Sequence, residues 1–376
     1  MNNIENKIFN FSVFNEYIKE DFIVDIALYI CKKYNYDNEK IETYHNYFDK
    51  IEHCEVTEVI KNKNAAWDTV ITAAKEKHDI YAIATILFYR TYHYRILENN
   101  KFFIDNKELL LEMTNILEEV KEKDGFIYFL LARAYYNNRV KCNDNKYINY
   151  FHNASKLGIE IAKVYESYIN LDYNELFTTC SKLIEKYPTN HVIKCFLGLC
   201  YFVGLGVEVN NEKAVEQFKH TEEAITYSYT TTPIDIYYLQ TRYYLGLCYF
   251  HGYGVKADLN RALNLFKHSS VDYLEEAIYA QAITYLLLEK ENADSVHVYK
   301  LLVEASINGS LPAIRKTMLC IKNNYGVIYD EEAYKSYENA FNNKKINNNI
   351  YSELKEEADK CPLIRKDGTI IIDDIN

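Results

Sequence analysis

The stretch Leu245-Gly-Leu-Cys-Tyr-Phe-His-Gly-Tyr-Gly-Val255 decides the fold, because it recurs at the same spacing elsewhere in the chain. A second copy runs from Leu197 to Val207 and keeps the leucine, glycine, tyrosine and valine positions. In both copies an alanine follows the first glycine by 16 residues, and a phenylalanine lies four residues further on. Small residues let two helices approach closely, and glycines permit the positive φ of a chain reversal. Each copy therefore predicts two helices joined by a tight loop.

Weaker copies extend the pattern in both directions. Alanine replaces the first glycine at Ala132 and Ala282, each followed by a tyrosine three residues later, and Tyr325-Gly-Val327 keeps the loop. A shorter pair near residues 160–190 lacks the Gly-x-Gly loop. The spacing predicts six helix pairs, over residues 126–158, 160–190, 191–236, 237–273, 274–309 and 311–343. The polar stretch from Thr226 to Ile236 is an insertion, predicted as a loop or an extended second helix.

Composition agrees with helices throughout. The 376 residues include only 11 glycines and 4 prolines, too few turn formers for an all-β sandwich or barrel. A helix pair cannot bury its own apolar face, so neighbouring pairs must stack on it. We therefore predict an all-α chain folded as a right-handed α-solenoid.

The two ends of the chain lack the repeat pattern. Residues 1–125 have helical periodicity and are predicted to be degenerate repeats or a separate helical cap. Within them, Asp105 to Glu108 forms a capping box for a helix that Gly125 is expected to terminate. In the tail, residues 344–376, two β-prone runs flank Asp367-Gly368 and predict a hairpin. The hairpin would either cap the solenoid or add a strand to a partner's sheet.

The pattern L-G-x-x-Y-x-x-G-x-G-V, followed by D/N-x-x-K/R-A-x-x-x-F, resembles the Sel-1-like repeat, a relative of the tetratricopeptide repeat. The resemblance covers about Phe126 to Phe341. It implies a solenoid in which the first helix of each pair lines a concave surface where ligands dock. A secreted branch of that family carries regularly spaced disulfides. No such spacing occurs here, so the activities of that branch are not implied.

The resemblance also implies which residues line the groove, once the copies are aligned on the small residue. An aromatic groove suits a protein or peptide partner. The alternative is that many of these side chains pack against the adjoining repeat. The predicted partner-binding residues are Phe129, Arg133, Tyr136, Phe196, Leu199, Phe202, Tyr243, Tyr244, Leu247, Phe250 and His251.

No other chemistry stands out in the sequence. The Gly-x-Gly loops lack the third glycine of a dinucleotide fingerprint and are not followed by Gly-Lys-Ser/Thr, so they are predicted to be turns. The one tight His/Cys cluster, formed by His45, His53 and Cys54, fits no common zinc spacing. We therefore predict no catalytic residues, no cofactor and no metal site.

Charge and apolar runs limit the partners and the compartment. The chain has 43 basic and 54 acidic residues, a net charge of −11, which disfavours binding to nucleic acid. No apolar run reaches the ~18 residues of a membrane span, so no membrane insertion is expected. The N-terminus does not resemble a secretory signal, and nine irregularly spaced cysteines are typical of reduced thiols. A cytoplasmic protein is predicted.

These observations predict a non-enzymatic scaffold or adaptor that binds another protein in its concave groove. Two alternatives stay open. One is an enzyme whose site lies in residues 1–125, with the repeats recruiting its substrate. The other is a structural subunit of a larger assembly. The oligomeric state is not predicted.

Overall fold

A computed structural model describes residues 21–37, 56–87, 106–136, 145–188, 190–226, 236–269, 275–343 and 361–371. Within these ranges the chain forms sixteen α-helices, one short 3-10 helix and a two-stranded sheet. The predicted all-α class is confirmed. The His45, His53 and Cys54 cluster, the Asp105 cap and most of the predicted insertion lie outside the described residues.

Four helices precede the repeats: α1 (Asp21–Tyr34), α2 (Val56–Lys77), α3 (Ile80–Thr85) and α4 (Asn106–Glu119). Helix α1 packs against α2, and its apolar stripe buries Ile26 and Ile30 completely. Trp67 of α2 is 1% exposed and is one of the largest fully buried side chains in the described part of the chain. The helical periodicity of this region therefore reflects a packed core.

Gly125 does not end a helix, and that expectation was wrong. Helix α4 stops at Glu119, and Gly125 is the first residue of the next helix, α5 (Gly125–Tyr136). A Cβ atom at Gly125 would lie 3.0 Å from the Leu157 Cβ and the Ile159 Cγ1 atoms. The absent side chain thus allows the start of α5 to pack closely against the turn formed by residues 157–159.

Beyond Gly125 the helices follow one another in pairs joined by short loops. The remaining helices are α6 (Lys146–Lys156), α7 (Glu160–Ile169), α8 (Tyr173–Lys186), α9 (His191–Val203), α10 (Asn211–Thr226), α11 (Ile236–His251), α12 (Leu259–Ser269), α13 (Glu275–Glu289), α14 (Ser295–Ile307), α15 (Leu311–Lys322) and α16 (Glu331–Asn343). Neighbouring helices contact each other from α5 through α8 and again from α12 through α16.

The contacts divide the chain into two compact units. The first comprises residues 1–197, 205–207 and 223–236, and the second comprises residues 198–204, 208–222 and 237–376. The division therefore falls inside α9. In the first unit, an aromatic core links helices α5, α6, α7 and α9. The Phe151 and Tyr165 rings stack with centroids 4.7 Å apart, and Phe129 and Phe196 each lie about edge-on to Tyr165 at 6.0 and 5.8 Å.

The predicted C-terminal hairpin is present in the second unit. Strands β1 (Leu363–Ile364) and β2 (Ile370–Ile371) pair antiparallel, and Gly368 takes φ 83° in the turn. The hairpin packs against the last helix pair, because the Lys316 ammonium donates to the Cys361 carbonyl at 2.9 Å and Leu363 is fully buried. Of the two predicted roles, the structure shows packing within the chain.

Candidate functional site

The first glycine of each close copy is a helix contact point. In the second unit, a Cβ atom at Gly198 would come within 2.3 Å of the Phe218 ring, and one at Gly246 within 2.5 Å of the Phe266 ring. Both phenylalanines are fully buried. The sequence pattern therefore places a small residue on the first helix of a pair opposite an aromatic ring on the second, and the paired helices pack at close range.

The tyrosine three residues after that glycine packs against a cation rather than beside the glycine. The Arg261 guanidinium lies over the Tyr249 ring at 4.8 Å, and the Lys213 ammonium lies over the Tyr201 ring at 5.2 Å. A cationic side chain from the start of the second helix thus lies over the tyrosine ring and makes a favourable cation–π contact. The phenylalanine, rather than the tyrosine, covers the glycine.

The acid or amide of the D/N-x-x-K/R motif caps the second helix. Asp258 Oδ1 accepts from the Arg261 amide, and Asn210 Oδ1 accepts from the Lys213 amide, both at 3.0 Å. In turn the Asp258 amide donates to the Tyr249 carbonyl at 2.8 Å. One motif therefore ends the loop, starts the helix and places the cation over the tyrosine.

The glycine before the loop valine packs against the preceding repeat, and we call this contact the loop seat. A Cβ atom at Gly206, Gly254 or Gly326 would lie 2.0 to 2.3 Å from the carbonyl oxygen of Tyr173, Asn211 or Ser295, respectively. Each of these carbonyls belongs to the first residue of the second helix in the preceding pair. All three glycines have φ between 62° and 71°. The loops are turns, as predicted, and they also hold one pair on the next.

The residues predicted to line the groove are mostly core residues. Nine of the eleven are less than 9% exposed: Phe129, Arg133, Phe196, Leu199, Phe202, Tyr243, Tyr244, Leu247 and Phe250. Their side chains fill the space between helices, as the packing alternative predicted, and present little surface to a partner. Only Tyr136 and His251 of the set are half-buried rather than buried. A binding role for the predicted residues is therefore a proposal, which we place at His251.

Around His251 the structure assembles an aromatic patch, which we define as Phe202, Phe250, His251 and Tyr253. The His251 and Tyr253 rings stack with centroids 4.8 Å apart, and Tyr253 also lies 6.2 Å from Phe202. Tyr253 is 37% exposed, whereas Phe202 and Phe250 form the buried base. Sequence reasoning missed Tyr253, although it is the variable residue between two loop glycines and so was a candidate for exposure.

Residues 1–125 contain one buried polar cluster in their described part. Asp79 is 3% exposed and caps α3, since its Oδ1 accepts from the amides of Tyr81 and Ala82 at 3.0 Å. Its Oδ2 accepts from Lys33 at 2.6 Å and from the Tyr34 hydroxyl at 2.8 Å. Burial opposes ionisation, but these hydrogen bonds prevail and lower the pKa of Asp79. Both carboxylate oxygens thus accept hydrogen bonds, and together they join α1 to α3.

Cysteines and acidic groups do not form a metal centre in the described ranges. Seven cysteines there are buried, and burial raises the pKa of the Cys200 and Cys320 thiols to about 12. No three His, Cys, Asp or Glu side chains of those ranges are grouped as metal ligands. Nor does any described helix combine the length and apolar character needed to cross a membrane.

Comparison with known proteins agrees with the repeat pattern. A family model described as Sel1 repeat matches residues 194–216 and 240–268, which include Gly198 and Gly246. No curated protein matched the chain. A solved Sel1 repeat protein from Oxalobacter formigenes is 16% identical, with a TM-score of 0.47, over 63% of this chain and 98% of that one. A protective antigen of uropathogenic Escherichia coli with an SLR fold is 13% identical, with a TM-score of 0.30, over 84% of this chain and 79% of that one.

The matched segments coincide with the two copies in which glycine, loop seat, helix cap and cation–π contact all occur together. Sequence pattern and local packing thus point to one kind of repeat. The chain contains Sel1 repeats at residues 194–216 and 240–268.

Proposed function

We propose that this chain is a non-enzymatic scaffold that binds another protein or peptide through the surface of its helix pairs. The observation that supports the proposal is the reuse of one packing unit. The loop seat occurs at three repeat boundaries, at Gly206, Gly254 and Gly326. Stacked units of this kind build extended surfaces suited to protein partners.

The aromatic patch is the proposed contact within the second unit. Tyr253 and His251 stack on each other above the buried Phe202 and Phe250 rings, so little rotamer freedom is lost when a partner packs on them. Tyrosine is enriched among residues that dominate binding energy because its ring offers apolar area and its hydroxyl a hydrogen bond. The proposed partner is a protein or peptide with an apolar anchor. The net charge of −11 makes nucleic acid a poor alternative.

The test is affinity capture from the native source with the full chain as bait, quantified by mass spectrometry. His251→Ala with Tyr253→Leu removes the half-buried and the exposed ring of the patch, and leucine is the residue that the preceding loop carries at Leu205. We expect recovery of the specific partners to fall by at least about tenfold, the loss typical of an aromatic contact worth more than about 1.4 kcal/mol.

The control variant is Val209→Ala. Val209 is also an exposed loop residue, at 58%, but it lies outside the patch. It should capture partners as the unmodified chain does, and circular dichroism should show unchanged helicity for all variants. Equal recovery with and without the aromatic rings would refute binding at this patch. Truncation of Tyr244 is avoided because that side chain is 2% exposed and its loss would test packing instead.

A further inference from the structure

Helix α14 carries an apolar stripe on its outer face. Val296 is 47% exposed and Ile307 is 76% exposed, while the core side of the helix buries Val298, Leu302 and Ala305 completely. Val303 lies between the two exposed residues at helical spacing and is half-buried. The stripe borders an open depression of about 380 Å³, which is lined by Tyr299, Lys300, Val303, Glu304, Ile307 and Asn308.

Three other second helices, α10, α12 and α16, provide an internal comparison, because they share the repeat pattern of α14. Alignment of Val298 with Ala214, Ala262 and Ala333 gives the residues equivalent to Val296 and Val303. They are Glu212 and Lys219 in α10, Asn260 and Lys267 in α12, and Glu331 and Glu338 in α16. Polar residues therefore suffice for the fold at these positions.

The charged residues beside the stripe are arranged to match a second copy of the same helix. Lys300 and Glu304 are exposed, one turn apart, and lie on the same flank of the stripe. If a second α14 lies antiparallel across the first, Lys300 of each copy faces Glu304 of the other. The same register brings Ile307 of each copy to within one residue of the position opposite Val296 of the other. Such reciprocal matching is what a two-fold interface requires.

We propose that the outer face of α14 is a homodimer interface in which two copies of this chain pack their α14 helices antiparallel. The nearby loop adds Ile328, which is 86% exposed and replaces Glu208 and Lys256 of the equivalent loops. A contact of one helix pair lies at or below the low end of specific interfaces, under about 1,200 Å². The dimer is therefore weak and depends on concentration. It does not depend on the proposed partner binding at the aromatic patch.

Sedimentation velocity of the full chain, from low-micromolar to sub-millimolar concentration, tests the proposal. The average mass should rise toward twice that of the single chain. Val303→Lys, which installs the residue that α10 and α12 carry, should weaken the dimer by at least about tenfold. Lys300→Glu and Glu304→Lys should each weaken it as well, because each places like charges face to face.

Combining Lys300→Glu with Glu304→Lys restores both ion pairs in the antiparallel register and should recover most of the lost affinity. Lys335→Glu on α16, the position equivalent to Lys300, serves as the matched control and should leave the dimer unchanged. A chain that stays monomeric at every concentration would overturn the proposal. So would a dimer that tolerates Val303→Lys, or one that the double reversal fails to restore.

Discussion

At the scale of single residues, the closest helix contacts depend on an absent methyl group. Gly246→Ala would place a Cβ atom within 2.5 Å of the Phe266 ring. That ring is fully buried, so it has little room to move away. We expect a loss of about 1–3 kcal/mol in the free energy of unfolding, as for other overpacked cores. Urea denaturation followed by circular dichroism measures it.

Another repeat of the chain suggests a second substitution that should restore stability to Gly246→Ala. Where the small residue is Ala282, the second helix carries Leu302 instead of phenylalanine at the facing position of the pattern. Adding Phe266→Leu to Gly246→Ala should therefore recover part of the lost stability. A double variant less stable than Gly246→Ala alone would show that the ring is not what the methyl group meets.

Asp79 should make the N-terminal helices sensitive to acid. Because the pKa of Asp79 is lowered in the folded chain, its stabilising effect is present above the unfolded value of about 3.9 and is lost as the pH falls through the folded value. Asp79→Asn keeps a capping side chain but gives up the charged contact with Lys33. It should cost about 1–3 kcal/mol at pH 7.

Thermal melts of the two proteins at decreasing pH measure this effect. The difference in Tm should narrow as the pH falls below about 4, because Asp79 of the unfolded chain then takes up a proton, and should disappear below the lowered pKa of the folded chain. A difference that stays constant down to pH 3 would show that the charge of Asp79 does not stabilise the fold.

At the scale of elements, the loop seat predicts unequal roles for two glycines of one loop. Gly252 and Gly254 both have positive φ, at 79° and 62°. A Cβ at Gly252 would have its nearest neighbour at 3.4 Å, whereas one at Gly254 would meet the Asn211 carbonyl oxygen at 2.3 Å. Gly252→Ala should therefore cost only the conformational penalty of about 1–2 kcal/mol.

Gly254→Ala should cost more, because the α10 backbone would have to move as well. Hydrogen exchange of the α10 N-terminus should accelerate in this variant and stay unchanged in Gly252→Ala. If the two variants are equally stable and exchange alike, the loop is an ordinary turn and not a seat between repeats.

The elements also show what the sequence could and could not predict. Helix pairs, loop turns and the hairpin follow from glycine spacing and apolar periodicity, which are local properties of the chain. The seat does not, because Gly254 and Asn211 are 43 residues apart and their contact depends on stacking. Gly125 was misjudged for the same reason, since its close approach to Leu157 and Ile159 is a tertiary contact.

The candidate site was harder to predict than the fold. Periodicity assigns residues to a helix, but a first helix with neighbours on several sides has few free faces. Tyr243 and Tyr244 are adjacent in sequence and lie on different sides of their helix, yet both are buried. The position of a residue around the helix therefore did not distinguish groove residues from core residues. The exposed ring is Tyr253, in the loop, where helical periodicity gives no information.

At the scale of the whole molecule, we propose that repeated packing units serve as a scaffold for another protein. Site-specific photo-crosslinking in the native cell tests this most directly. A photoreactive phenylalanine analogue at Tyr253 is compared with one at Val209, an exposed loop position outside the aromatic patch. We predict a discrete protein adduct at position 253 that is absent at position 209. The same adducts at both positions, or none at position 253, would contradict the account.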